Sequence, residues 1–248
     1  MRVPADGPAT GSDELQALEE PFFRQLDALG LPQRQPLTAA QGESLFHFLS
    51  LLRRWNATHN LTAITSAREL VRTHLLDPLL ALPLLSRRAP EAHLGPILDV
   101  GSGAGIPAIP WALADPALSL ALVEKSGKKV AFLRHAIARL GLLPRVSVIQ
   151  ADVARLQRNP SYAIITSRAF AALPKFLSVT MHLSAPGTRW VYMAGRLEAI
   201  EGLDINKSMY THPISMPRIM GKVVLDAIDP LHDPSGMQRH LVWLRRTA

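Results

Sequence analysis

The sequence predicts an α/β protein: an open, mostly parallel seven-stranded sheet flanked by helices, with an N-terminal helical cap. Three observations predict it. From about residue 96, short apolar runs alternate with helical segments, the rhythm of strands joined by crossover helices. Before that point the apolar residues recur only at helical spacing. At 248 residues, 48% hydrophobic and 19% charged, the chain can bury the core of such a sheet and carry an appendage. The organisation expected is a flexible tail over 1–12, a helical cap over 13–90 and the sheet core over 91–248.

The elements follow in order. Leu15, Leu18, Phe22, Leu26 and Leu29 space a first helix over 13–29, ended by Gly30 and Pro32. Thr38 to Gln41 has the form of a capping box and opens a second helix that runs to about Trp55. A further box, Ser66 to Glu69, opens a third helix, which Pro78 should kink or end. Strands are expected at 96–100, 118–124, 145–149, 162–166 and 189–195. A helix with Val130, Leu133, Ile137 and Leu140 on one face, closed by Gly141, lies between the second strand and the third. Val223 to Leu225 and His240 to Leu244 make a closing antiparallel pair, with Pro230, Asp233, Pro234 and Gly236 in its turn.

Composition excludes several chemistries. The chain has no cysteine, which removes disulfides, thiolate metal sites, iron–sulfur clusters and cysteine nucleophiles, and a cytoplasmic protein is expected. No apolar run is long enough to span a membrane, and the first residues lack the apolar core of a secretory signal. The nine histidines show no ligand spacing, so no metal is expected. A net charge of +7 suits a polyanion such as RNA.

The richest stretch is Asp99-x-Gly101-x-Gly103-x-Gly105, at the end of the first strand. A dinucleotide fingerprint needs a glycine at 106, where Ile106 stands. Evenly spaced glycines instead make a bend against which a ligand can lie on bare backbone, with Pro107 and Pro110 tolerated in the helical turn that follows. The second strand ends in Glu124, a carboxylate that can accept both hydroxyls of a ribose. The third ends near Asp152, which can receive an adenine amino group, with Val153 and Ala154 offering backbone contacts. Loop, ribose acid and adenine pocket on successive strand ends describe a site for S-adenosyl-L-methionine at the switch point of an open sheet.

If that is the cofactor, missing chemistry narrows the acceptor. Attack through carbon 5 of a pyrimidine requires a cysteine nucleophile, and there is none. Exocyclic amines are usually gripped by an Asn- or Asp-Pro-Pro-aromatic loop, whereas Ser167-Arg168-Ala169-Phe170 stands there. What remains includes guanine N7, whose lone pair is free. It needs no general base, so alignment and desolvation suffice, and no catalytic residue is assigned.

Asn60 to Ile64, His74 to Asp77, DVGSGAGIP at 99–107, Ser126 to Lys129 with FLR at 132–134, and Ser167 to Phe170 together resemble the bacterial 16S ribosomal RNA guanine-N7 methyltransferase family, also called the glucose-inhibited division protein B family. The resemblance covers roughly residues 40–200. It implies a class I S-adenosylmethionine-dependent methyltransferase fold with a Rossmann-like core, acting on N7 of one guanine of 16S rRNA or the small ribosomal subunit. It also implies cofactor contacts at Gly101, Ile106, Val153, Ala154 and Arg168, the last as a fork for the cofactor carboxylate or an RNA phosphate. Members commonly carry Arg-x-Glu where Asp152 to Ala154 stand and Lys-Gly where Ala194 and Gly195 stand, with Arg196 next.

Lys125, Lys128, Lys129, Arg134 and Arg139, with Arg53, Arg54 and Arg72 on the cap, are candidate phosphate contacts, which give affinity rather than sequence choice. The Asn and His side chains between Asn56 and Thr62 are open to two readings, contact with a base or cofactor and a simple helix-exit turn. A monomer is expected. The rival readings are a small-molecule methyltransferase and a ribosome-associated protein that binds the cofactor without turnover.

Overall fold

A computed structural model of the chain describes residues 12–28, 37–157, 162–195, 223–232, 236 and 238–247. The expected tail over 1–12 and the residues Gly30, Pro32, Arg196, Asp233 and Pro234 therefore lie almost wholly outside the described residues. Seven strands form one sheet: β1 (Ile97–Val100), β2 (Leu120–Glu124), β3 (Val146–Gln150), β4 (Ile164–Arg168), β5 (Arg189–Ala194), β6 (Val223–His232) and β7 (Gln238–Arg246). Their order is β3-β2-β1-β4-β5-β7-β6. The first five run parallel, and β7 enters antiparallel between β5 and β6.

All four residues of β1 and all five of β2 are buried, because helices cover both faces of a parallel sheet and leave no polar side. Period-two alternation divides them. Ile97 joins the core under the cap helices, while Leu98 and Val100 join the core on the opposite face. The strand order turns at β1, with β2 on one side and β4 on the other, so the loops after β1 and β4 part and leave a crevice at the carboxyl edge.

The helices are α1 (Ser12–Ala28), α2 (Ala39–His59), α3 (Ala67–Leu70), α4 (Asp77–Arg88), α5 (Ala108–Ala114), α6 (Gly127–Arg139) and α7 (Leu173–Thr180). The Thr38 capping box forms: the Gln41 amide donates to Thr38 Oγ1 at 3.2 Å, and the Thr38 amide donates to Gln41 Oε1 at 2.8 Å. α6 buries Val130, Phe132, Leu133, Ala136 and Ile137, and Gly141, at φ +65°, follows its end. The four tryptophans Trp55, Trp111, Trp190 and Trp243 are all fully buried. Trp111 also joins α5 to the cap, its indole N–H donating to the Pro78 carbonyl at 2.8 Å.

Three expectations need correction, and a fourth holds in one of its two forms. Ser66 stands at a helix N-cap but makes no capping bond, and Glu69 lies 3.8 Å from Arg72. Pro78 does not end its helix, but the helix departs from α geometry just before it: a π-helical turn over Val71–Leu76 precedes Pro78, which falls in the first turn of α4, where a missing N–H is tolerated. Pro230 lies inside β6 opposite His240 rather than in the turn, which is permitted because β6 is an edge strand. Ser167 and Arg168 belong to β4 itself, so the loop after it begins at Ala169.

Candidate functional site

The glycine loop leaves β1 with Gly101, Gly103 and Gly105 at φ +67°, +56° and +82°, a conformation that side chains disfavour. The three glycines serve different ends. A Cβ on Gly101 would lie 2.4 Å from Cδ2 of Phe170, and one on Gly105 would lie 2.5 Å from Cδ1 of Ile109, so both are close-approach positions. A Cβ on Gly103 would meet nothing nearer than the Gly101 carbonyl at 3.7 Å and Lys129 Nζ at 4.0 Å. Gly103 is thus where bare backbone faces open space, the kind of cradle a cofactor needs. Ile106 turns its side chain into the core beneath the cap, leaving only its backbone to a ligand.

Glu124 sits beside this loop, because β2 pairs with β1 in register up to Val100 and Val123. It is buried, and its two carboxylate oxygens are engaged: Oε2 accepts the Gly103 amide at 3.0 Å and Oε1 accepts the Ser126 amide at 2.8 Å. A carboxylate has about four acceptor positions, so two remain for ribose hydroxyls. The next strand end is adjacent, since Glu124 pairs with Gln150. There the exposed Asp152 accepts the Ala154 amide at 3.0 Å and starts a short 3-10 turn, with Val153 buried and Ala154 exposed. Gly101, Gly103, Glu124, Asp152, Val153 and Ala154 therefore share one edge, on the ends of three neighbouring strands.

Arg168 reaches the same crevice from β4 and bonds to the cap. In the π turn, the Asp77 amide donates to the Arg72 carbonyl, five residues back. The Thr73 carbonyl would next receive residue 78, but Pro78 has no N–H to give. The guanidinium of Arg168 takes that carbonyl instead. Burial lowers the Arg168 pKa from its ordinary value, against the opposing pull of Asp77. Asp77 itself is buried and ion-paired with Arg239 at 3.2 Å.

Two further groups escaped the reading of the sequence. Asp99 is fully buried at the base of the loop, and burial pushes its carboxyl up to about 7 against the pull of the neighbouring Ser102 hydroxyl. Its place before the glycines is visible in the sequence, but its depth requires the fold. His74 is buried in the π turn, 3.3 Å from Thr62 Oγ1, and burial beside Arg168 pulls its pKa down to about 4.

A buried histidine held neutral makes stability depend on pH. Its contribution is complete above the unfolded value near 6.5 and drains away as the pH falls toward 4, because the unfolded chain takes up the proton first. Denaturant unfolding at pH 7 and pH 4.5 should therefore show a larger loss for the wild type than for His74→Gln, by about 1–3 kcal/mol. Equal losses would remove His74 as the cause.

The exit from α2 is a closed turn. Asn56 Oδ1 accepts the Thr62 amide at 2.8 Å, Asn60 closes the helix at φ +50°, and His59 packs on Trp55 with ring centroids 5.1 Å apart. Of the basic residues after β2, Lys125, Lys128, Arg134 and Arg139 are exposed, and Lys129 is half-buried beside Gly103. On the cap, Arg53 is paired with Glu14 at 3.3 Å. Ala194 ends β5 within the core. Among the described residues there is no cluster of histidine, aspartate or glutamate that could hold a metal ion, and no helix long and apolar enough to cross a membrane.

Comparison with known proteins covers most of the chain. Residues 41–223 match the family described as rRNA small subunit methyltransferase G. The ribosomal RNA small subunit methyltransferase G of Cupriavidus metallidurans is 38% identical over 226 residues, covering 89% of this chain and 91% of that one. That of Coxiella burnetii is 36% identical over 200 residues, covering 81% and 92%. Among solved structures, an O-methyltransferase candidate from Klebsiella pneumoniae superposes with a TM-score of 0.53 at 14% identity, covering 96% of this chain and all of the other, a likeness of fold alone.

Proposed function

The chain belongs to the rRNA small subunit methyltransferase G family, and from that premise we propose that it transfers a methyl group from S-adenosylmethionine to N7 of one guanine in 16S ribosomal RNA. The observation that carries the reading is the open cradle at Gly103 with Glu124 bonded to its amide, an arrangement suited to an adenosine lying along the loop.

The residues present suit that cofactor. Glu124 would accept the ribose hydroxyls, and Asp152 the adenine amino group, with the Val153 and Ala154 backbone alongside. Gly101, Gly103, Gly105 and the Ile106 backbone would let the ligand approach. When bound, the cofactor supplies an electrophilic methyl on its sulfonium. N7 of guanine releases no proton on attack, so this chain needs no base; its work is to align the nitrogen, exclude water and hold the RNA. Arg168, which stands at the end of β4 and is bonded to the π turn, would link cofactor and cap. The exposed Lys125, Lys128, Arg134 and Arg139, with Lys129, would contact RNA phosphates. Pro230 on the edge strand β6 disfavours strand addition there by a second copy, in keeping with a monomer.

Arg168→Ala is expected to lower kcat/KM for ribosomal RNA about tenfold or more, with some loss of cofactor affinity, because a charge-assisted bond contributes about 1.5–3 kcal/mol. Arg168→Lys should restore little, as an ammonium lacks the planar fork. Full activity in both variants would make Arg168 a packing residue only.

The function is testable in cells. 7-Methylguanosine makes an RNA strand cleavable after borohydride reduction and aniline treatment. Bacteria carrying this chain as their only such enzyme should show cleavage at one guanine of 16S rRNA. Loss of the chain with no change in the cleavage pattern would contradict the proposal.

A further inference from the structure

The sheet edge opposite the glycine loop carries a second feature, a cavity of about 540 Å³ lined by Arg87, Arg88, Arg189, Asp226, Trp243 and Arg245. Its position follows from strand direction. Arg189 is the first residue of β5, which runs parallel to β4 and β1, whereas the glycine loop follows the last residue of β1. Arg245 is the register partner of Arg189 on β7, and Arg87 and Arg88 end α4.

Such an assembly of like charge is costly unless something negative is held there. Guanidinium groups directly opposite one another on paired strands repel. The fold supplies one answer: the register of β6 shifts between Leu225 and Ala227, and the extra residue is Asp226. A single oxygen of Asp226 accepts Arg189 Nη1 at 2.7 Å and lies 3.3 Å from Arg245 Nε. Asp229 is shared in the same way, bidentate with Arg88 and 4.0 Å from Arg87. Glu91 accepts Arg189 Nε. Three carboxylates thus serve four arginines, although every guanidinium has five donors. Arg87 and Arg245 keep 63% and 41% of their side chains exposed. Trp243 is buried, and its indole N–H has no partner among the described residues.

We propose that this cavity is an anion site that takes a phosphate group, presented by the backbone of the RNA substrate or by a free nucleoside phosphate. Planar guanidinium forks match phosphate oxygens bidentately, and Arg87 and Arg245 have donors to give. Six residues of β5 span roughly 17–20 Å, so both edges of the sheet lie within the reach of one folded ribosomal RNA. The RNA source rests on the methyltransferase reading; anion binding by itself does not.

The test compares the wild type with Arg87→Gln/Arg245→Gln, two exposed positions whose change leaves the Arg88 and Arg189 pairs intact. Inorganic pyrophosphate is titrated calorimetrically, binding of a 16S rRNA fragment is measured across a salt series, and S-adenosylmethionine affinity serves as the check on folding. With RNA as the source, pyrophosphate binding falls at least tenfold in the variant, and the slope of log K against log salt becomes shallower by about 1–2. Weakened pyrophosphate binding with an unchanged RNA slope assigns the site to a free nucleoside phosphate. No pyrophosphate binding by the wild type, or equal binding by both proteins together with equal slopes, overturns the site. None of these readings requires methyl transfer, so failure of the proposed reaction would be seen separately.

Discussion

Gly103→Asp is expected to fold and to bind no S-adenosylmethionine. A Cβ at this position meets no atom closer than 3.7 Å, so nothing in the core has to move. The residue sits at φ +56°, a region that aspartate tolerates better than most residues, at a cost of about 1 kcal/mol. The new carboxylate would occupy the cradle, and it would stand beside Glu124, whose Oε2 is 3.0 Å from the Gly103 amide. Lys129 Nζ, 4.0 Å from the added Cβ, could pair with it and hold it there. Calorimetry should show at least a hundredfold loss of cofactor affinity, while circular dichroism and the melting temperature change little. Wild-type affinity in this variant would remove the glycine loop as the cofactor cradle. Gly105→Ala provides the contrast: its Cβ would lie 2.5 Å from Ile109 Cδ1, so it should lose stability together with binding.

Glu124→Ala should weaken the cofactor by about a hundredfold or more. Two ribose hydroxyls lose a charged acceptor, and a hydrogen bond to a charged group contributes about 1.5–3 kcal/mol. The loop also loses its tie, since the Gly103 and Ser126 amides both donate to this carboxylate. Glu124→Gln separates the two contributions. An amide has one acceptor oxygen and an NH₂ group that cannot accept, so one of the two backbone donors is left facing another donor. Its affinity should fall between those of the wild type and the alanine variant, with a measurable drop in unfolding free energy. Unchanged affinity in the alanine variant would show that the carboxylate only braces the loop.

Much of this site was legible because it is local. The spacing of Gly101, Gly103 and Gly105 after an apolar strand, and a carboxylate closing the next strand, are features of the chain itself. Parallel pairing then carries Gly101, Glu124 and Asp152 to one edge. The strands proved readable for the same reason, as buried parallel strands are apolar runs with little else to confuse them. What was hidden depends on contacts between distant segments. Nothing in the sequence marks a π turn over Val71–Leu76, and so nothing announces that Pro78 would leave the Thr73 carbonyl for an arginine on β4. Pro230 reads as a turn residue in the sequence, since its place on an edge strand is settled only by pairing with β7. The box at Ser66 had the right letters, but Glu69 had another partner within reach. Asp226 carried no signal at all, since a bulge is a property of two strands together.

In the proposed reaction a methyl group leaves a cofactor held at Gly103 and Glu124 and arrives at N7 of one guanine. The most direct measurement is to incubate the purified protein with S-adenosylmethionine tritiated in its methyl group and small ribosomal subunits lacking the modification, then to digest the 16S rRNA and separate its nucleosides. Label is expected in 7-methylguanosine alone, from a single position, and none when Gly103→Asp replaces the wild type. Label in any other nucleoside, or no label from a protein that binds the cofactor, would contradict it.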